Sequence, residues 1–311
     1  MKENQKLYRF IPFQELVDIC ETPGKLILKS PSLWDDNYEG YFYRKLMHEE
    51  SMSEMFDRFN TLIKDSDLDI DGDFKINITN LNQKTILAML RYSALYYLFF
   101  CISWSKKKES DALWRIYNHN NKSIRISTKI NNFKKIKYLN FNVVDYKTHL
   151  GLKKVLDEIL VRNINNNHLT FKLFMPFCLK RKEFHHENEI RMFYFHKLPT
   201  VPLLNLIRSD EHSAEDLNFI IKGIKTCFDE RGSFITSNYK KLLSVYLSPF
   251  KDKENSVVPI ELKKYNIAPK DIIDDIMVHP LAPVYYVDII EKYCKRFDLK
   301  FLGKSKLYDF K

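Results

Sequence analysis

Glycine is rare in this sequence, with only 7 among 311 residues, and this scarcity excludes several common nucleotide sites. Neither GxGxxG nor GxxxxGK[ST] occurs, so the chain offers no dinucleotide-binding turn and no P-loop. The five cysteines are widely spaced and mostly lie in apolar runs, which is typical of reduced core residues. No close CxxC or HxxxH pair indicates zinc, and we expect no metal.

Long apolar runs are also missing. The best candidate, ALYYLFFCISW, is too short and too aromatic to span a bilayer, and MKENQKLYRF has no signal-peptide core. We therefore expect a cytoplasmic protein with no membrane partner. The composition, with 45% hydrophobic residues, predicts a folded globular chain that buries a large core.

The net charge of +10 is unevenly distributed along the chain. Residues 49–73 carry nine acidic and two basic side chains, whereas residues 121–182 carry fourteen basic and three acidic ones. A basic segment of this kind can attract phosphates, and nucleic acid is therefore a candidate partner for residues 121–182. The alternative is an ordinary solvated lysine-rich surface. The sequence does not indicate an oligomeric state.

Alternating strands and amphipathic helices occur throughout the chain, with no repeat and no obvious linker. LYRFI, CISW, KSIRISTKI, EIRMFYFH, DIMVH and LKFL have the pattern of strands, and DALWRIYNH that of a short helix capped by Ser110. The sequence predicts one α+β domain over residues 1–311, with a compact mixed or antiparallel sheet. Helices are inserted at about 41–98, and a C-terminal helical and strand extension covers about 200–311.

The stretch HHENEIRMF is the most informative candidate for a site. In an extended strand Glu187, Glu189 and Arg191 share one face, and Ile190 and Met192 share the other. A solvated ion-pair face is the simplest interpretation. The alternative is that the two carboxylates line a cleft.

Polar residues also collect at three other strand ends. Tyr8 and Arg9 lie in the first strand, and a polar loop follows KLILKS, with Asp35, Asp36, Asn37 and Glu39. Ser103, Trp114 and Tyr117 surround the segment CISW to DALWRIY. Convergence of these segments on one cleft would create a site for catalysis. Each also has a structural interpretation: an edge strand, an Asx turn or core aromatics.

The ordered set LYRF, SPSLWDDNYEG, CISW, LWRIYNHNNKSIRI and Lys180 followed by ENEIR resembles the bacterial family catalogued as domain of unknown function 2971. The resemblance covers Leu7 to about Tyr194. It departs from the family pattern in the loop, where Asp35 and Asn37 stand for asparagine and proline. This family brings no established reaction with it.

The same order of motifs is similar to ADP-ribosyltransferases, including toxin and phage-defence types that modify nucleic acids. This resemblance implies an ADP-ribosyltransferase-like fold and transfer of ADP-ribose from NAD, the substrate, to a nucleic acid or protein. Glu189 would stabilise the cationic transition state, and Glu187 would orient or deprotonate the acceptor. Arg9 would bind pyrophosphate, Ser103 would brace Glu189, and Trp114 or Tyr117 would stack on nicotinamide. Tyr8 and Arg191 complete the predicted NAD site.

Two other functions are also compatible with the sequence. One is a magnesium-dependent nuclease that uses Asp36, Glu187 and Glu189, with Asp35 and Glu39 as further ligands and Lys180 as the catalytic lysine. The other is a non-catalytic protein whose basic surface binds nucleic acid or a partner.

Overall fold

A seven-stranded sheet forms the centre of the protein in the computed structural model. The structure describes residues 3–21, 27–29, 31, 34, 39–40, 45, 48–64, 81–117, 120–134, 136, 139–152, 154–155, 175–195, 222–247, 260–261 and 268–309. The strands of this sheet are β1 (Lys6–Pro12), β3 (Phe99–Ser105), β4 (Ser123–Lys129), β5 (Leu139–Val143), β8 (Glu189–Phe195), β10 (Asp275–Val278) and β11 (Phe301–Lys304). The strand order is β11-β10-β4-β1-β3-β8-β5, and all neighbours are antiparallel except the parallel pair β10 and β11.

Outside this sheet, the described residues form two short strand pairs, α-helices and three short 3-10 helices. β2 (Ile27–Leu28) pairs with β9 (Ile260–Glu261), and β6 (Asp145–Lys147) pairs with β7 (Leu179–Arg181). The helices are α1 (Phe13–Glu21), α2 (Glu49–Lys64), α3 (Leu81–Leu98), α4 (Asp111–Ile116), α5 (Thr236–Leu247), α6 (Pro269–Ile272) and α7 (Val284–Arg296). The predicted α+β class with a mostly antiparallel sheet and helical insertions is confirmed.

The apolar face of the sheet forms the main core. Side chains two residues apart on β1, β3, β4, β8 and β10 point to this face, as the period of a strand requires. They pack against residues of α1 and α7, and the buried set includes Leu7, Ile11, Ile102, Ile124, Ile126, Ile190, Met192, Ile276, Leu16 and Ile290. Each such side chain stabilises the fold by about 1.5–3 kcal/mol relative to exposure.

The opposite face of the sheet is polar where β1, β3 and β8 meet. Ser103 pairs with Arg191, Ser105 pairs with Glu189, and Tyr8 pairs with Ser105 across the strands. Directly paired residues of antiparallel strands place their side chains on the same face. The polar positions of three strands that are distant in sequence therefore lie side by side.

The sheet is split between β1 and β3. Tyr8↔Ser105 is the pair recorded between these strands, whereas β1 and β4 are paired from Lys6↔Lys129 to Pro12↔Ser123. On the β3 side of the split, Lys29 forms a bridge with Cys101, with N–O distances of 2.9 and 3.0 Å. Beyond Tyr8, β1 continues into α1, which begins at Phe13. The two strands thus separate and leave an opening within the sheet.

The regions predicted as an insertion and an extension have different relationships to the sheet. Within residues 41–98, α2 and α3 pack against each other and against α5, with Thr85 Oγ1 donating to Asn60 Oδ1 at 3.0 Å. The C-terminal residues 268–309 instead supply β10, β11 and α7 to the central sheet and its core. Among the described helices, none combines the length and hydropathy that crossing a membrane requires.

Candidate functional site

A cavity of about 220 Å³ lies in the split between β1 and β3. Its walls come from the first strand, the start of α1, the third strand, α4 and the turn before β8. The lining residues are Tyr8, Arg9, Phe10, Pro12, Glu15, Lys29, Ser103, Trp104, Ser105, Leu113, Tyr117, Glu187 and Glu189. Six of the residues predicted from sequence therefore meet here: Tyr8, Arg9, Ser103, Tyr117, Glu187 and Glu189.

Glu189 is held by three donors from three parts of the chain. Its Oε1 accepts hydrogen bonds from Ser103 Oγ and from Arg191 Nε, the latter at 2.7 Å, and Lys180 Nζ lies 3.2 Å from its Oε2. Burial alone would raise the pKa of Glu189, but Arg191 and Lys180 outweigh it and lower that pKa to about 2. This carboxylate is therefore ionised and fixed in orientation.

Lys180 connects three carboxylates. Its ammonium lies 2.7 Å from Glu39 Oε1, 2.7 Å from Glu187 Oε2 and 3.2 Å from Glu189 Oε2. Burial disfavours the charged amine, but the three glutamates outweigh this effect and raise the pKa of Lys180. With Arg191 included, three acidic and two basic side chains give the cluster a formal charge of −1 when all are ionised.

Glu187 differs from Glu189 in both backbone position and electrostatics. The sequence predicted one strand for both, but β8 begins at Glu189, and Glu187 ends a 3-10 turn at Lys182–Glu187. Asn188 joins them in the left-handed region at φ 45°. Burial raises the pKa of Glu187, although Lys180 opposes that shift. Glu187 is thus the carboxylate of this pair that gains a proton more readily.

Arg191 lies behind Glu189 and is 1% exposed. Its NH2 group donates to Glu39 Oε2 at 2.9 Å, NH1 donates to the Phe177 carbonyl, and the guanidinium lies 4.3 Å from the centre of the Trp34 ring. Arg191 does not line the cavity. The sequence predicted a ligand-binding residue, and the geometry instead fits one that orients Glu189 and Glu39.

Aromatic and cationic side chains form the opposite wall. The rings of Tyr117 and Phe10 are stacked, with centroids 6.3 Å apart, and burial together with Glu187 and Glu189 raises the pKa of Tyr117 to about 12. Arg9 forms an ion pair with Glu15, which also lines the cavity. The Tyr117 phenol is therefore protonated at neutral pH, and Arg9 is available to a ligand at the expense of its contact with Glu15.

Trp114 does not line the cavity. It is fully buried in a small cluster with Phe10 and Leu113, and its ring makes edge contacts with Phe10 at 4.8 Å and His279 at 5.4 Å. Helix α4 ends at Ile116, so that Tyr117 is the C-terminal cap rather than part of the helix. The structure supports the core interpretation of Trp114.

The polar loop is only partly covered by the structure. Asp35, Asp36 and Asn37 lie outside the described residues. Glu39 is described, is 8% exposed, and joins the buried cluster through Lys180 and Arg191. One of the four loop residues predicted near the site is therefore in contact with it.

The sequence did not predict every residue of the cavity and the ion cluster. Lys180 entered only through the family resemblance and the nuclease alternative, and Phe10, Glu15 and Lys29 were not predicted. A signal existed for Lys180, because a lysine that ends the apolar run FMPFCLK needs a charged partner if it is buried. No local pattern identifies Lys29 or Glu15.

Metal-ligand geometry is not seen in the described part of the chain. Among those residues, no group of three His, Cys, Asp or Glu side chains is arranged to hold a metal ion. The carboxylates of Glu39, Glu187 and Glu189 converge instead on the ammonium of Lys180.

Comparison with known proteins returned no match among family models, curated proteins or solved structures.

Proposed function

We propose that this protein is an enzyme that transfers ADP-ribose from NAD to a macromolecular acceptor. One observation carries the proposal: an ionised, immobilised carboxylate, Glu189, faces a cavity in a split sheet, with a second carboxylate, Glu187, beside it. Aromatic rings and Arg9 form the other walls. This arrangement fits a reaction in which positive charge develops on a sugar.

Breaking the bond between C1′ of the ribose and the nicotinamide nitrogen leaves the bonding electrons on nicotinamide and a cation on the sugar. A carboxylate that is already oriented stabilises this charge without reorganising in the transition state. Glu189 meets this requirement because Ser103, Arg191 and Lys180 fix it and keep its pKa at about 2. The cluster's formal charge of −1 favours the cation further.

Glu187 is the better proton acceptor of the two carboxylates. The acceptor nucleophile forms a new bond to C1′ and loses a proton, and that proton needs a base at the cavity wall. Burial raises the pKa of Glu187, which increases its basicity, and it lines the cavity. We therefore assign Glu187 to acceptor activation and Glu189 to charge stabilisation.

The remaining walls support binding of part of NAD. Tyr117 and Tyr8 offer ring surface, and Arg9 offers a guanidinium to a phosphate. The cavity volume of about 220 Å³ lies below the usual range for drug-sized ligands, which starts at roughly 300 Å³. It would enclose the nicotinamide end of NAD and leave the adenosine outside.

A magnesium-dependent nuclease fits the cluster less well. The ammonium of Lys180 already bridges Glu187 and Glu189, so a divalent cation between these carboxylates would lie against another cation. A purely structural role is the other alternative, because buried ion clusters occur without catalysis. Nicotinamide release, degradation of nucleic acid and sensitivity to EDTA distinguish the three functions.

The test measures nicotinamide release from NAD by the purified protein, with and without bacterial nucleic acid and protein as acceptors. We expect release by the wild type, resistance to EDTA, and at least a hundredfold loss in Glu189→Gln, roughly the effect of removing one transition-state contact. Glu183→Gln is the matched control, since Glu183 is exposed in the same turn. EDTA-sensitive degradation of nucleic acid without NAD consumption would instead identify a nuclease. Absence of both activities would leave a non-catalytic role.

A further inference from the structure

Three consecutive lysines follow β3 beside the cavity. Lys107 and Lys108 are exposed and Lys106 is partly exposed. Lys106 N donates to the carbonyl of Asn188 at 2.9 Å, and Lys107 N donates to Ser105 Oγ at 3.0 Å. We call residues 106–108 the lysine turn.

The hydroxyl of Ser105 links the lysine turn to Glu187, one of the two candidate catalytic residues. Ser105 Oγ accepts from Lys107 N and donates to the carbonyl of Glu187 at 2.6 Å. Ser105 and Glu187 both line the cavity. The turn is therefore held at a fixed position relative to the cavity wall that carries Glu187.

The three ammonium groups have no ion-pair partner among the described residues, whereas many other lysines there do. Lys134 pairs with Glu3, and Lys270 pairs with Asp298. An unpaired run of cations at the edge of an acidic cavity is an attraction site for phosphates that remain outside it.

The same region offers apolar and aromatic surface. Tyr117 lines the cavity and is 38% exposed, and its neighbour Ile116 is 52% exposed. Proteins that bind single strands combine cations along the backbone with ring surfaces on which bases stack. A duplex would have to flip a nucleotide out before any of its base or sugar atoms could enter a cavity of about 220 Å³.

We propose that the lysine turn binds the phosphate backbone of a single-stranded nucleic acid, which is the acceptor of the transfer. This inference rests on the proposed function, because it names the acceptor for that reaction. The lysine turn lies outside the segment 121–182, for which nucleic-acid binding stays a prediction. Two basic residues of that segment are buried: Arg125 pairs with Asp275, and Lys180 with the three glutamates.

The test measures binding of a short fluorescent single-stranded oligonucleotide by anisotropy, without NAD, at about 50 and about 200 mM salt. The variant carries Lys106→Gln, Lys107→Gln and Lys108→Gln. The control removes three exposed lysines elsewhere, with Lys241→Gln, Lys292→Gln and Lys300→Gln. RNA and DNA strands, a duplex and polyglutamate are the other probes.

We expect the lysine-turn variant to bind single strands at least about tenfold more weakly and its salt slope to fall by about 2, since each lost phosphate contact contributes roughly 0.7. The control should bind like the wild type. Equal loss in both variants, or equally tight binding of polyglutamate or duplex, would overturn the inference. Single-strand binding that depends on the lysine turn, without any nicotinamide release, would uphold this binding site and refute only the proposed transfer. Nicotinamide release without single-strand binding by the lysine turn would instead refute the binding site and uphold the proposed transfer.

Discussion

Glu187 and Glu189 share the ammonium of Lys180, at 2.7 and 3.2 Å, yet their pKa values shift in opposite directions. Glu189 has additional donors in Arg191 and Ser103, which lower its pKa to about 2. Burial dominates for Glu187 and raises its pKa above the usual 4.5. Environments that separate two carboxylates in this way assign them different chemical roles.

The pH dependence of the transfer should follow Glu187. A base acts only when deprotonated, so the rate should fall as pH decreases through the raised pKa of Glu187, with a midpoint above about 4.5. Glu189 stays ionised over this range. Glu187→Gln should lower transfer to an acceptor by about 10²–10⁴-fold and abolish this acidic limb, while nicotinamide release into water is less affected.

The measurement is a pH–rate profile for wild type, Glu187→Gln and the exposed control Glu183→Gln. An unchanged acidic limb in Glu187→Gln would remove the base assignment. A loss of nicotinamide release equal to the loss of transfer would indicate that Glu187 acts in the first step instead.

Lys180 should be essential for stability as well as for the site. Lys180→Met leaves Glu39, Glu187 and Glu189 close together without the ammonium that joins them, and breaking a buried ion cluster in this way costs about 3–5 kcal/mol. The neighbouring exposed Lys182→Met should change the free energy of unfolding by less than about 0.5 kcal/mol. Urea denaturation of both variants measures the difference.

The loss in Lys180→Met should shrink in acid, where the glutamates become protonated and their repulsion disappears. A folded-state pKa of about 2 for Glu189 means that its stabilising contribution is present above the unfolded value and is lost as pH falls from about 4.5 towards 2. A destabilisation that is independent of pH between 7 and about 3 would show that packing, rather than charge, explains the role of Lys180.

The sheet was predictable from sequence because its strands obey local alternation. Ile190 and Met192 are fully buried on the face that the pattern EIRMF assigns to the core. The site was less predictable, since its contacts join residues far apart, such as Tyr8 and Ser105 or Glu39 and Arg191. Such pairings depend on strand order, which periodicity does not encode.

Two local details also escaped the pattern. Alternation predicted that Glu187 belongs to the strand. Asn188, however, has a left-handed backbone, and the strand begins only at Glu189. Spacing of three predicted that Trp114 and Tyr117 share a helical face, but the helix ends between them. Each deviation lies at the end of an element, where periodicity carries the least information.

Asn188 should be replaceable by glycine but not by a β-branched residue. Its φ of 45° lies in the left-handed region, which costs most residues about 1–2 kcal/mol and glycine nothing. Asn188→Val should destabilise the protein by at least that amount and move Glu187 away from Lys180. Asn188→Gly should retain both stability and transfer, as measured by denaturation and nicotinamide release. Equal effects of the two substitutions would show that the side chain of Asn188, not its backbone, is what matters.

We expect substitutions of Trp114 to affect mainly stability and substitutions of Tyr117 to affect mainly NAD binding. Trp114→Ala leaves a cavity in the cluster with Phe10 and Leu113 and should cost about 3–5 kcal/mol of stability. Tyr117→Ala removes a partly exposed ring from the cavity wall, so it should cost less stability but raise the KM for NAD roughly tenfold. Tyr117→Phe is the control: because the phenol has a pKa of about 12 and stays protonated, this change should leave the pH profile unaltered. An unchanged KM in Tyr117→Ala would exclude the ring from NAD binding and with it the stacking of Tyr117 on nicotinamide.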